Sequence, residues 1–183
     1  SGKATVMKFD GSSWTTVGIA GFSAGSAYYT DLEFDSANNP YVVYGDGGNS
    51  GKATVMKFDG SSWTTVGAAG FSAGTADFSD LEFDRANNPY VVYRDAGNGY
   101  KATVKKFDGS SWTTVGAAGF SAGTADFSDL EFDRANNPYV VYRDAGNGYK
   151  ATVKKFDGSS WTTVGIAGFS AGSAYYTDLE FDS

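Results

Sequence analysis

The groups able to do chemistry in this sequence are carboxylates, and they recur. Asp31 and Glu33 return as Asp80 and Glu82, Asp129 and Glu131, and Asp178 and Glu180. The chain has no His and no Cys, which removes Ser-His-Asp triads, imidazole acid–base work, thiolate nucleophiles and the usual zinc ligands. It holds no G-x-x-x-x-G-K-[ST] phosphate loop. Side chains alternate along a strand, so Asp80 and Glu82 share one face while Leu81 and Phe83 take the other. Brought around one axis, Glu33, Glu82, Glu131 and Glu180 would form an acid ring able to hold a cation or a basic ligand through oxygen. The competing reading leaves these acids solvated, or paired with Arg94, Lys105 or Lys106. Glycoside hydrolysis needs two carboxyls in unlike environments, and copying one acid throughout works against that. The expectation is a non-enzyme with no cofactor and no metal.

Aromatic residues are the second candidate set. Trp14, Trp63, Trp112 and Trp161 are evenly spaced and could form sugar-stacking pockets, or could simply fill the space between copies. Asp10-Gly11-Ser12-Ser13 and its copies lack the Asp-x-Asp-x-Asp-Gly run and closing Glu of a calcium loop. They read as turns.

The elements that must position these residues are written in a repeat. Lys3, Lys52, Lys101 and Lys150 each open the phrase K-A-T-V at a period of 49, and residues 57–116 match residues 106–165 letter for letter. The copies are 1–49, 50–98, 99–147 and an incomplete 148–183, whose counterpart of residues 37–49 is absent from the sequence. A period of this length points to a propeller or array. Within one copy, Phe78 to Asp84 alternates and ends at the turn Asn87-Asn88-Pro89. Tyr90 to Arg94 is β-branched and aromatic, and therefore a strand. Lys101 to Phe107 is a third strand, Asp108-Gly109 a hairpin connection, and Trp112 to Val115 a fourth. No useful window has a 3.6-residue apolar period.

The fold class expected is all-β: a β-propeller of four-stranded antiparallel blades on a 49-residue repeat. Residues 1–183 then form one tandem-repeat unit of about four blades, either a small ring or half of an eight-bladed one. A parallel-coil solenoid or a series of sandwich modules fits the Asp-Gly hairpins less well. The incomplete fourth copy would be completed across the termini, with 175–182 as inner strand and 3–17 as the outer two.

The unit Leu81-Glu82-Phe83-Asp84, Asn87-Asn88-Pro89 and Tyr90-Val91-Val92-Tyr93-Arg94-Asp95 resembles the first two strands of an NHL-type blade. Phe107-Asp108-Gly109 followed by Trp112 is also similar to repeats of secreted bacterial propellers. The near-identity of the copies resembles symmetric propellers designed by duplicating one blade. That resemblance implies a non-catalytic scaffold that self-assembles into a closed ring, with a homodimer as the default partner arrangement. The alternative it implies is a secreted bacterial carbohydrate-binding or adhesion module.

The composition agrees with a packed β domain: 183 residues, 41% hydrophobic, 16% aromatic, 19% charged and 25 Gly. A formal net charge of −7 makes nucleic acid a poor partner. No stretch reaches the roughly 18–20 apolar residues of a membrane helix. The opening Ser1-Gly2-Lys3-Ala4 reads as a strand approach and not as a secretory leader. Two kinds of copy are visible. The middle units carry Arg85, Arg94 and Lys105 where the outer ones have Ser36, Gly45 and Met56, and Thr75-Ala76-Asp77-Phe78 where the outer ones have Ser26-Ala27-Tyr28-Tyr29.

Overall fold

The computed structural model describes residues 2–182, and every assigned strand in it belongs to an antiparallel sheet. A two-stranded hairpin comes first, β1 (Met7–Phe9) with β2 (Trp14–Thr16). Three four-stranded blades follow in chain order. The first is β3 (Ala27–Phe34), β4 (Pro40–Asp46), β5 (Lys52–Phe58) and β6 (Trp63–Thr65); the second is β7 (Ala76–Phe83), β8 (Pro89–Asp95), β9 (Lys101–Phe107) and β10 (Trp112–Thr114). The third is β11 (Ala125–Phe132), β12 (Pro138–Asp144), β13 (Lys150–Phe156) and β14 (Trp161–Thr163). Each is a simple meander, the blade pattern of a propeller.

The turns behave as their residues require. Gly60 of the Asp-Gly-Ser-Ser hairpin has φ of +97°, and Asn38 and Asn87 take φ of +63° and +65° before their prolines. Between the second and third strands a single 3-10 turn is capped by Asp46, Asp95 or Asp144, each accepting from the amide two residues on at 2.9–3.0 Å.

A blade buries one face against each neighbour. Tyr41, Val43, Ala53 and Val55 of the first blade pack on Ala76, Leu81, Val91, Tyr93 and Trp112 of the second, and the second packs on the third in the same way. The Trp63, Trp112 and Trp161 indoles donate to the carbonyls of Val17, Val66 and Val115 at 2.8–2.9 Å. They stack on Phe22, Phe71 and Phe120 at 4.3–4.5 Å. Gly67, at φ +70°, lies under this contact: a Cβ there would sit 2.8 Å from the Phe107 ring and 3.1 Å from Trp112. The inner strands β3, β7 and β11 adjoin one another in series.

The two ends are uncovered. Trp14 is 66% exposed where Trp63 is 8% exposed, and Phe169 is 58% exposed. Residues 175–182 lie against the third blade, with the Leu179 amide donating to Asp129 at 2.8 Å and Phe181 edge-on to Tyr139. They join no sheet, and among the described residues β1 pairs with β2 alone. The blade expected to be shared by the termini is therefore not assembled within the described residues, because no second strand links the two pieces.

Candidate ligand-binding face

The inner strands carry the acids, and the structure stacks them in two tiers. Asp31, Asp80 and Asp129 each accept a hydrogen bond from a main-chain amide of the next inner segment, those of Leu81, Leu130 and Leu179, at 2.8–3.0 Å. Glu33, Glu82 and Glu131 accept from the amides of Phe34, Phe83 and Phe132 at 3.0–3.1 Å. Burial, reinforced by neighbouring carboxylates, raises Asp80 far above the carboxylate range, Glu82 to about 8 and Asp129 to about 7. The acids do not pair with Arg94, Lys105 or Lys106, the cations considered from the sequence. Arg94 binds Asp77 and Asp126, Lys106 binds Asp84, and Lys105 reaches the Trp112 carbonyl. Among the described residues no three His, Cys, Asp or Glu side chains are grouped to hold a metal ion.

At the Asp-tier end of the inner strands stands a feature that the strand pattern did not disclose. The register between the first two strands slips at Tyr28/Asp31, Asp77/Asp80 and Asp126/Asp129, a β-bulge of the kind that re-aims side chains. Its residues Tyr29, Phe78 and Phe127, with Tyr176 in the fourth copy, take φ of +51° to +54°. That region is strained for a bulky L-residue. The strain delivers four aromatic rings in sequence, centroids 4.7 Å apart from Tyr29 to Phe78, 4.7 Å from Phe78 to Phe127 and 4.8 Å from Phe127 to Tyr176. Tyr29 and Tyr176 remain exposed.

Around this collar runs a charge ladder that crosses the blades. Arg94 binds Asp77 at 2.5 Å and Asp126 at 2.6 Å, and Asp126 also binds Arg143 at 2.6 Å. The Arg94 guanidinium lies over the Phe78 and Tyr100 rings, and that of Arg143 over Phe127, Tyr149 and Tyr175. Tyr100 and Tyr149 are half exposed. Rings, guanidiniums and carboxylates thus meet in one partly buried cluster whose exposed margin is formed by Tyr29, Tyr100, Tyr149 and Tyr176, and that margin can supply stacking faces to a polar ligand that has apolar C–H faces.

The tryptophans named from the sequence are placed elsewhere. Trp63, Trp112 and Trp161 are buried between blades, and Trp14 stands exposed at the amino-terminal end. One signal for the collar was legible: the switch from Tyr-Tyr to Asp-Phe between copies falls on these positions.

No known protein family matches the sequence, and no curated protein does. Solved structures do. A fucose lectin from Kordia zhangzhouensis, in complex with methyl-fucoside, is 17% identical over 75% of this chain and 99% of its own, with a TM-score of 0.52. The fucose-specific lectin from Aleuria aurantia is 19% identical over 88% of this chain, with a TM-score of 0.53; the match spans 53% of the lectin. An endo-1,4-β-xylanase from Bacteroides thetaiotaomicron is 12% identical over 90% of this chain and 65% of its own, with a TM-score of 0.56. At these identities the likeness establishes the repeated β-propeller fold alone.

Proposed function

We propose that this chain is a non-catalytic, carbohydrate-binding propeller module whose sugar contacts lie on the aromatic collar and the arginine–tyrosine clusters beside it. The observation that carries the reading is the strained φ at Tyr29, Phe78, Phe127 and Tyr176. A backbone conformation unfavourable by about 1–3 kcal/mol, repeated in every copy, is a feature that clusters at ligand sites. Aromatic faces stack on sugar C–H surfaces while Arg94 and Asp77, both partly exposed, offer hydrogen bonds to hydroxyls. Glu82, raised to about 8, keeps its proton at neutral pH and is a donor as well. Kinship of fold with two fucose lectins supports the same reading, and the net charge of −7 disfavours phosphorylated ligands. A glycan array probed with the wild-type chain and with Phe127→Ala tests it. Binding that disappears in Phe127→Ala but persists in Trp14→Ala supports the collar. A silent array, or binding indifferent to Phe127, rejects it.

A second reading, that of a designed or consensus-like symmetric scaffold that closes a ring with a second copy, rests on the matching ends. Val164 and Phe169 are exposed, as is Trp14. They are the counterparts of Val17 and Phe22, which hold the Trp63 indole. Two copies joined end to end by that contact would make an eight-bladed ring. The solution mass discriminates, two chains supporting the ring and one chain opposing it.

A further inference from the structure

The repeat states what should lie in a groove that this structure leaves open. In the first blade Lys52–Phe58 pairs with Pro40–Asp46 on one side and with Trp63–Thr65 on the other, and the second and third blades do likewise. The same K-A-T-V sequence at Lys3–Val6 has no strand beside it among the described residues. Among the described residues no main-chain bond reaches the Lys3 or Thr5 amide, whose counterparts Lys52 and Thr54 oppose Asp46 and Tyr44 in the ladder.

Beside this edge lie two hollows that share Val6, Met7 and Leu32. One of 470 Å³ runs between Gly2–Met7 and the Thr30–Leu32 segment, and the other, of 620 Å³, continues past Lys8 to Phe34. Their walls are the unmet half of an interface seen twice elsewhere. Leu81 and Leu130 are sealed at 0% and 1% exposure, within clusters that hold Tyr41 with Val43, and Tyr90 with Val92; Leu32 is 38% exposed. Phe83, Phe132 and Phe181 each receive a tyrosine edge-on at 4.9 Å, from Tyr41, Tyr90 and Tyr139. Phe34 receives none and is half exposed. Above each of those tyrosines a lysine sits 5.0 Å from the ring centroid, Lys57, Lys106 or Lys155, and Lys8 stands at the matching place.

From these equivalences we infer that the Lys3–Phe9 edge and its groove form a strand-addition site. It takes an extended segment carrying the second-strand pattern Pro-Tyr-Val-Val-Tyr. The main chain pairs along Lys3–Met7, which supplies affinity. The first tyrosine enters between Phe34 and Lys8, and the valine two residues on seats against Leu32, which supplies specificity because strand side chains alternate. The interface is continuous with the blade contacts already formed and needs no rearrangement of the first blade. It is independent of the sugar-binding reading, since the collar contributes no residue to it.

The test is titration of the full chain with a synthetic peptide copying residues 37–49, followed by calorimetry and amide hydrogen exchange. Expected are one-to-one binding and exchange at Lys3 and Thr5 slowed on the order of tenfold or more. Replacing the peptide's first tyrosine by Ser, or the chain's Leu32 by Asp, should weaken binding by about tenfold or more, as loss of a central anchor does. Leu32 is partly exposed, so Leu32→Asp keeps the fold, which circular dichroism verifies. No saturable binding to the folded chain, or binding indifferent to both changes, overturns the site. A dimer in which residues 175–182 of a second copy protect Lys3 and Thr5 and exclude the peptide overturns it as well.

Discussion

The Trp63 indole N–H donates to the Val17 carbonyl at 2.9 Å, across the boundary between two successive copies. The bond recurs at Trp112 and Trp161, so each blade is pinned to the one before it by a buried donor. Truncating a buried Trp leaves a cavity as well as an unmet carbonyl, and Trp112→Ala should cost about 3–5 kcal/mol in urea denaturation. Trp14→Ala, at an exposed position, should change stability by no more than roughly 0.5 kcal/mol. If the scaffold reading holds, Trp14→Ala instead halves the mass seen by ultracentrifugation.

Stability should fall as pH rises from mildly acidic to alkaline. Glu82 and Asp129 have folded pKa values of about 8 and about 7, raised by burial and by neighbouring acids. A group raised in the folded state favours folding fully below its unfolded pKa, and that contribution is lost as pH climbs through the folded value. The window is therefore about pH 4 to 8. Asp35 acts the other way. Burial pushes it up, but bonds from Asn39 and Lys57 outweigh this and bring it to about 2, so its contribution is present above pH 4 and lost toward pH 2. Glu82→Gln should flatten the alkaline limb and stabilise the protein at pH 8 by on the order of 1–2 kcal/mol after allowance for solvent screening. Thermal melts at pH 5 and pH 8 measure this.

Asp126 is the carboxylate that two guanidiniums share, Arg94 and Arg143, and it is itself buried. Asp126→Asn leaves Arg143 without its charged partner and Arg94 with Asp77 alone, for a loss of about 1–3 kcal/mol. Asp77→Asn, at the more exposed end of the ladder, should lose about 1 kcal/mol or less. Equal losses in chemical denaturation would refute the ladder.

Tyr44 Oη donates to Met56 Sδ at 3.1 Å, whereas the buried Tyr93 and Tyr142 hydroxyls have no partner among the described residues. The second and third blades place Lys105 and Lys154 where the first blade has Met56. Lys105→Met restores an acceptor to Tyr93 and should stabilise by roughly 0.5–1 kcal/mol, read from the urea midpoint.

Phe78→Gly separates strain from recognition. Glycine takes φ of +51° freely, so backbone strain falls by about 1–2 kcal/mol, while the ring that meets Tyr29 and Phe127 is lost. Sugar affinity should drop with little loss of stability. Parallel collapse of both would make the collar a packing device.

The site was legible only in part. Asp80 and Glu82 share a face as simple alternation requires, and their tiers follow from it. The collar does not follow, because alternation puts Phe78 on the Asp80 face only if the ladder is regular. The bulge between Asp77 and Asp80 breaks that count, and a left-handed φ on an aromatic residue has no sequence signature.

The sequence by itself determined the 49-residue unit, its four strands and the turns between them, because turn geometry and strand alternation are local properties. Neighbours decided the rest. K-A-T-V belongs to a paired strand at Lys52 and to an unpaired edge at Lys3, and one tryptophan motif is 8% exposed at Trp63 and 66% exposed at Trp14. Hydrogen-bond ladders and inter-blade burial exist only where a second strand or sheet stands alongside, so identical residues ended in different states.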